Sequence, residues 1–170
     1  MLFRSGDFSE TGLSSNVEDV VAAADFLKAE YEAPKILIGH SLGGAAVLQA
    51  AGRIDSTRAV TTIAAPGDPK HVEKHLATSR EQIEKDGEAE IELGGKSFKI
   101  KKRFLDDLDS NRMKEAIGKL HRKALLILHS PTDNVVGIDN AATIFMAAKH
   151  PKSFVSLDQA DHLLDRKSVV

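Results

Sequence analysis

Cysteine is absent from this 170-residue chain, so disulfides and thiolate metal sites are excluded. That absence does not fix the compartment, and the cytoplasm is the default expectation. No apolar run approaches the length needed to span a membrane, and the amino terminus shows no secretory signal pattern. An excess of one charge is also lacking. The 23 Lys and Arg residues face 25 Asp and Glu, a formal net charge of −2, which argues against a dedicated nucleic-acid binder. Neither an internal repeat nor a low-complexity tract interrupts the chain. What remains is the balance of a soluble domain, 42% hydrophobic and 28% charged. The length fits one domain, residues 1–170, with a sizeable core.

Against that ordinary background stands Gly39-His40-Ser41-Leu42-Gly43, followed by Gly44. The apolar run Ile36-Leu37-Ile38 precedes it and the helix-forming run Ala45 to Ala51 follows it. Three fixed residues in five arise by chance in roughly one chain in twenty of this length, so the pattern alone is weak. Strand, Gly-x-Ser-x-Gly turn and helix together make the context of a nucleophile elbow. Such a turn is tight enough that the residues flanking the serine must lack bulk. The hydroxyl then stands at the tip of the strand, and the free N–H groups of the helix end favour a developing oxyanion. The plainer reading is a glycine-rich turn whose serine has no chemical role.

The rest of the chain supplies the setting. Met1–Arg4 is either a short strand or a frayed end. Ser15 and Glu18 have capping-box spacing. They open a helix whose apolar positions Val17, Val20, Val21, Ala24 and Leu27 recur on one face as far as about Tyr31. Ile36–Ile38, Arg58–Ala64, Ala124–Leu128 and Ser153–Leu157 read as strands, the first and third of them buried. Ile138–Lys149 reads as a helix. Strands alternating with helices imply a mostly parallel sheet flanked by helices, an α/β fold. Residues 68–121 break the alternation. They contain a polar helix, Lys70–Lys85, then a hairpin with Ile91 opposite Phe98 and Ala89 opposite Ile100 across Gly94-Gly95. A further helix runs from about Phe104 to Leu120. This stretch is expected to be an inserted cap or lid.

A nucleophilic serine needs a base, and the base needs an orienting acid. Asp133 follows the strand ending at Leu128, and His162 follows the last strand. In a parallel sheet both loops share the rim of the elbow, where sites on such sheets are expected. The order serine, acid, histidine is that of the hydrolases built on this sheet. Ser41 is thus the expected nucleophile, His162 the base, Asp133 the orienting acid and the Leu42 N–H an oxyanion donor. Each residue has a duller alternative. Asp133 has the place of a turn residue after Pro131, and His162 that of a surface loop histidine. Asp139 fits a helix start, and Asp161 neighbours the base. His71 and His75 have metal-compatible spacing but no third ligand, so a solvated helix face is expected and no metal. The Lys99–Arg103 charge cluster reads as the wet side of the hairpin. His40, in the variable elbow position, serves either packing or substrate contact. Ile91, Phe98, Phe104 and Leu105 either line an apolar acyl pocket or pack the cap onto the core.

Ile36 to Gly44, with Ser130-Pro131-Thr132-Asp133 and Ala160-Asp161-His162, resembles the α/β-hydrolase superfamily. The phrasing of Ser14 to Asp19, Val136 to Ala141 and His150 to Phe154 resembles a bacterial subgroup found alone or fused to an OsmC-like domain. The resemblance implies a serine hydrolase of carboxylic esters, with a small-molecule ester as substrate, an acyl-enzyme intermediate and no cofactor. It also implies three or four strands ahead of this segment, and the loop giving the second oxyanion N–H. The chain is expected to lack both, with its elbow strand at a sheet edge that invites pairing in a homo-oligomer. The competing expectation is a catalytically weak or inactive fold kept as a binding or assembly module. The missing strands favour it and the serine–acid–base set opposes it.

Overall fold

Three short runs rich in Ile, Val, Leu and Thr and a fourth, more polar one, Lys152–Ser156, form one parallel sheet, and the helices between them bury one of its faces. The computed structural model describes residues 11–68, 73–93, 96–109 and 113–164, apart from the side chains of residues 73–78, 92, 93, 96, 98, 108 and 109. Met1–Arg4 lies outside the described residues. In chain order the elements are α1 (Leu13–Glu30), β1 (Ile36–His40), α2 (Leu42–Ala50), β2 (Ala59–Ile63), α3 (Glu73–Asp86), β3 (Glu88–Leu93), β4 (Lys96–Lys101), α4 (Lys102–Asp109), α5 (Met113–Gly118), β5 (Ala124–His129), α6 (Asp139–Ala147) and β6 (Lys152–Ser156).

The main sheet has the order β1-β2-β5-β6, every neighbour parallel. This is the α/β architecture expected from the alternation of strands and helices. α2 packs on β1 and β2, and α6 on β5 and β6, while α1 and α5 pack against α2. Leu37, Val60, Leu125 and Ile127 bury against these helices in one core with Leu48, Ile117 and Ile144. Among the described residues no helix is long and apolar enough to cross a membrane.

Two strands expected to be buried on both faces are buried on one. Ile36 and Ile38 are 60% and 65% exposed while Leu37 between them is buried. In β5, Leu126 and Leu128 are only half-buried. An apolar run reports strand character but not how many faces are covered.

α1 begins before Ser15, with Gly12 as its cap. Ser15 therefore sits inside the first turn, where its hydroxyl accepts the Gly12 N–H at 2.8 Å and donates to the Gly12 carbonyl at 2.9 Å. The carboxylate that serves this helix end comes from far along the chain. Asp107 of α4 accepts the Ser14 N–H at 2.8 Å and also the Ser14 hydroxyl. Negative charge at a helix amino end is favourable, and here it ties α4 to α1. Leu13, Val17 and Ala24 form the buried stripe of α1, with Val20 and Val21 beside it, while Leu27 is partly exposed.

β3 and β4 pair antiparallel with Ile91 opposite Phe98 and Ala89 opposite Ile100, the register that the alternation predicts. Ile83, Ala89, Ile91, Ile100, Phe104 and Leu105 form a second, separate cluster. Within the stretch expected as a helix over Phe104 to Leu120, α4 and α5 are helical, and residues 110–112 between them lie outside the described residues. Phe104 and Leu105 bury in the small cluster, whereas Met113, Ile117 and Leu120 bury in the main core. The stretch 68–121 thus serves two cores.

Candidate active site

Ser41 occupies the turn between β1 and α2 with φ 52° and ψ −127°. This is a sparsely populated conformation for a residue with a side chain, of order 1–3 kcal/mol in cost. Three contacts maintain it. The Ser41 N–H donates to the Ile63 carbonyl at 2.9 Å, and the Ser41 carbonyl accepts the Gly44 N–H at 2.9 Å and the Ala45 N–H at 3.3 Å. A Cβ on Gly39 would lie 2.3 Å from the Gly43 carbonyl oxygen, and one on Gly44 would lie 2.5 Å from the Ala65 Cβ. The turn thus requires glycine at both places. A Cβ on Gly43, the last residue of the motif, would meet nothing within 4 Å. Its carbonyl presses on Gly39, so the lack of bulk is required at Gly39 and Gly44 and not at Gly43 itself.

The three loops expected at one rim meet there. The Ser41 hydroxyl lies 3.0 Å from His162 Nε2, and His162 Nδ1 lies 2.8 Å from Asp133 Oδ2. A carboxylate only accepts, so Nδ1 carries the proton. Nε2 is then the basic nitrogen, and the serine hydroxyl donates to it. The Asp133 side chain is fully buried, yet all its contacts are donors. Oδ1 accepts the backbone N–H groups of Val135 and Val136, each at 2.9 Å, while Oδ2 faces the imidazole. A buried carboxylate is sustainable only with such pairing. The backbone bonds fix one oxygen so that the other points at the ring.

His129, the last residue of β5, has a structural role that the sequence reading missed. It is fully buried, donates from Nε2 to the Val136 carbonyl at 2.7 Å, and lies 3.8 Å from Asp133 Oδ2. It closes the loop 130–136 around the acid. The available signal was its place directly after an apolar strand, where a polar residue must find a partner. His40 turns its Nε2 to the His162 carbonyl at 2.7 Å, with the two ring centroids 5.0 Å apart.

The remaining expected site residues lie as follows. Leu42 is the first residue of α2, where helical geometry leaves the N–H without an intrahelical acceptor. Its side chain packs on both the main core and the smaller cluster. Ile91 and Phe104 are interior to that smaller cluster. The side chain of Phe98 lies outside the described residues, as do those of His71 and His75. Asp139 opens α6, and Asp161 accepts the Leu163 N–H at 3.0 Å. Lys99 reaches Glu88 across the hairpin at 2.9 Å and is 57% exposed. Among the described residues no group of three His, Asp or Glu side chains is placed to hold a metal.

Comparison with known proteins agrees with this architecture. A family model described as the alpha/beta hydrolase family matches residues 4–166. The chain belongs to the alpha/beta hydrolase family. An esterase domain of a Rhodothermus marinus protein, solved as a crystal structure, is 52% identical with a TM-score of 0.74 over 94% of this chain and 65% of that one. Est1E from Butyrivibrio proteoclasticus shares the fold at 21% identity and a TM-score of 0.76, over 91% of this chain and 64% of that one. A protein from Agrobacterium vitis S4 does so at 19% identity and a TM-score of 0.77, over 96% and 66%. The chain therefore spans about 65% of the length of the first of these. A search of curated proteins gave no match.

Proposed function

We propose that the protein is a serine hydrolase that cleaves carboxylic esters through an acyl-enzyme. The observation that carries the reading is the continuous chain of hydrogen bonds from the Ser41 hydroxyl through His162 to Asp133. In the first half-reaction, Ser41 Oγ bonds to the ester carbonyl carbon as its proton passes to His162 Nε2. The carbonyl oxygen takes up negative charge and accepts the Leu42 N–H. Collapse breaks the bond to the leaving alkoxide, which takes the proton from His162. Water then repeats the sequence on the acyl-serine and restores the free hydroxyl. Asp133 stays ionised and stabilises the imidazolium. Nucleophile, base and acid are all side chains, so the reaction needs no metal or organic cofactor. The 52% identity to an esterase domain supports an ester as the small-molecule substrate.

The smaller cluster is read as a cap over the elbow. Leu42, which packs on both clusters, is where the acyl chain would lie, with Ile91 and Phe104 shaping the wall from behind. The test is hydrolysis of p-nitrophenyl esters of increasing acyl length. Ser41→Ala is expected to lower kcat by about 10⁴-fold or more, and His162→Gln by a comparable factor. Full retention of turnover in Ser41→Ala would overturn the reading.

We also propose that a second copy covers β1. Among the described residues β1 is a sheet edge. It carries no charge or proline, and its outward Ile36 and Ile38 are exposed. Edge strands that stay unpaired usually carry such blocking residues.

A further inference from the structure

We propose that His40 is a positioning residue, which holds the His162 loop to the elbow by a hydrogen bond from its Nε2 to the His162 main-chain carbonyl. The inference rests on His162 being the base. Residues 157–164 follow β6, which among the described residues is an edge strand beside β5. Asp158, Gln159, Leu163 and Leu164 are exposed, and Gln159 and Leu164 have φ 64° and 62°. Left-handed backbone at residues with side chains costs roughly 1–2 kcal/mol each, so this loop does not hold its own shape. Among the described residues its internal bonds are local: Ala160 N–H to the Leu157 carbonyl at 3.2 Å, Leu164 N–H to the Asp161 carbonyl at 3.1 Å and Leu163 N–H to the Asp161 carboxylate at 3.0 Å. Among the described residues, side chains from the loop after β5 and from the end of β1 reach its main chain. Thr132 donates to the Ala160 carbonyl at 3.0 Å from an exposed position, and His40 donates to the His162 carbonyl at 2.7 Å from a half-buried one.

The His40 bond is the shorter of the two, and it joins the residue before the nucleophile to the backbone of the base itself. His40 is anchored in turn, since β1 pairs with β2 with His40 opposite Ile63. A carbonyl oxygen only accepts, so the His40 proton sits on Nε2. The Ser41-to-His162 distance of 3.0 Å is thus set from two sides. The imidazole is held through Asp133, and its main chain through His40. Misplacement of a reacting group by about 1 Å can cost a hundredfold in rate.

Two substitutions separate the atoms involved. In His40→Gln the amide nitrogen falls near the place of Nε2 and keeps the donor. In His40→Asn it falls near the place of Nδ1 and loses the contact. With p-nitrophenyl butyrate, His40→Asn is expected to lower kcat by about ten- to a hundredfold with KM within about twofold of the parent. His40→Gln is expected to restore most of that loss. The second readout does not depend on turnover. The downfield proton resonance of His162 Nδ1–H, assigned by its disappearance in His162→Gln, should stay sharp in His40→Gln and broaden in His40→Asn. Equal kcat in parent and His40→Asn, a loss confined to KM, or equal losses in the two variants would overturn the proposal. Turnover that survives Ser41→Ala would instead strike at the nucleophile, and the proton resonance would still decide the role of His40.

Discussion

Gly39 and Gly43 flank the same serine, and the structure assigns them unequal duties. A side chain on Gly39 would drive a Cβ into the backbone of Gly43 at 2.3 Å, where no rotamer offers escape. Gly39→Ala is expected to destabilise the fold by about 1–3 kcal/mol, the range for forced overpacking. Gly43→Ala meets open space within a helix. It should be neutral or stabilising by up to about 1 kcal/mol, because alanine is the better helix former. Urea denaturation of the two variants checks the contrast, and an equal loss in both would contradict it. At this scale the motif was legible because strand and helix signals bracketed it. Ser41, Asp133 and His162 were legible as residues following strands. Their mutual distances were not, because spacing along the chain says nothing about the bends at Gln159 and Leu164. The tasks of His129 and His40 were hidden for a related reason. Both bond to main-chain carbonyls, and every residue has one.

At the scale of elements, the strands and helices of the sheet were readable from periodicity, while their ends and their cover were not. The start of α1 depends on Asp107, a partner 93 residues away, and no local pattern encodes it. α4 and α5 bury their apolar residues in two different clusters, which a helical repeat cannot distinguish. A second link between elements allows a pH test. Arg53, after α2, grips Glu18 of α1 with both guanidinium nitrogens, at 2.5 Å and 2.8 Å. The side-chain hydrogen bond from Arg53 lowers the Glu18 carboxyl below its ordinary value of 4.5, against the opposing effect of burial. A lowered folded value means that the unfolded chain binds the proton more readily. The contribution is therefore complete above pH 4.5 and is lost as pH falls through the folded value. Glu18→Gln should be slightly less stable than the parent at neutral pH, and the gap should close in acid. Because the pair is exposed, the gap should be small. A gap that widens in acid would show that the link has another origin.

For the whole molecule, the sheet has one face buried by helices and, among the described residues, an edge with exposed Ile36 and Ile38. If a second copy covers that edge, the parent chain should run as a dimer in sedimentation at micromolar concentration. Ile38→Lys should shift it toward the monomer, since edge lysine blocks strand addition. A monomeric parent at that concentration would remove the proposal. The fold class was legible from alternating strands and helices, and the family model over residues 4–166 agrees with it. Burial of one face rather than two was not, since the apolar pattern of β1 suits either. The chemistry is the central claim, and mass spectrometry after exposure to a fluorophosphonate tests it most directly. One adduct is expected, mapped to the peptide containing Ser41, lost in Ser41→Ala and slowed in His162→Gln. A folded protein that takes up no reagent, or takes it up elsewhere, would contradict it.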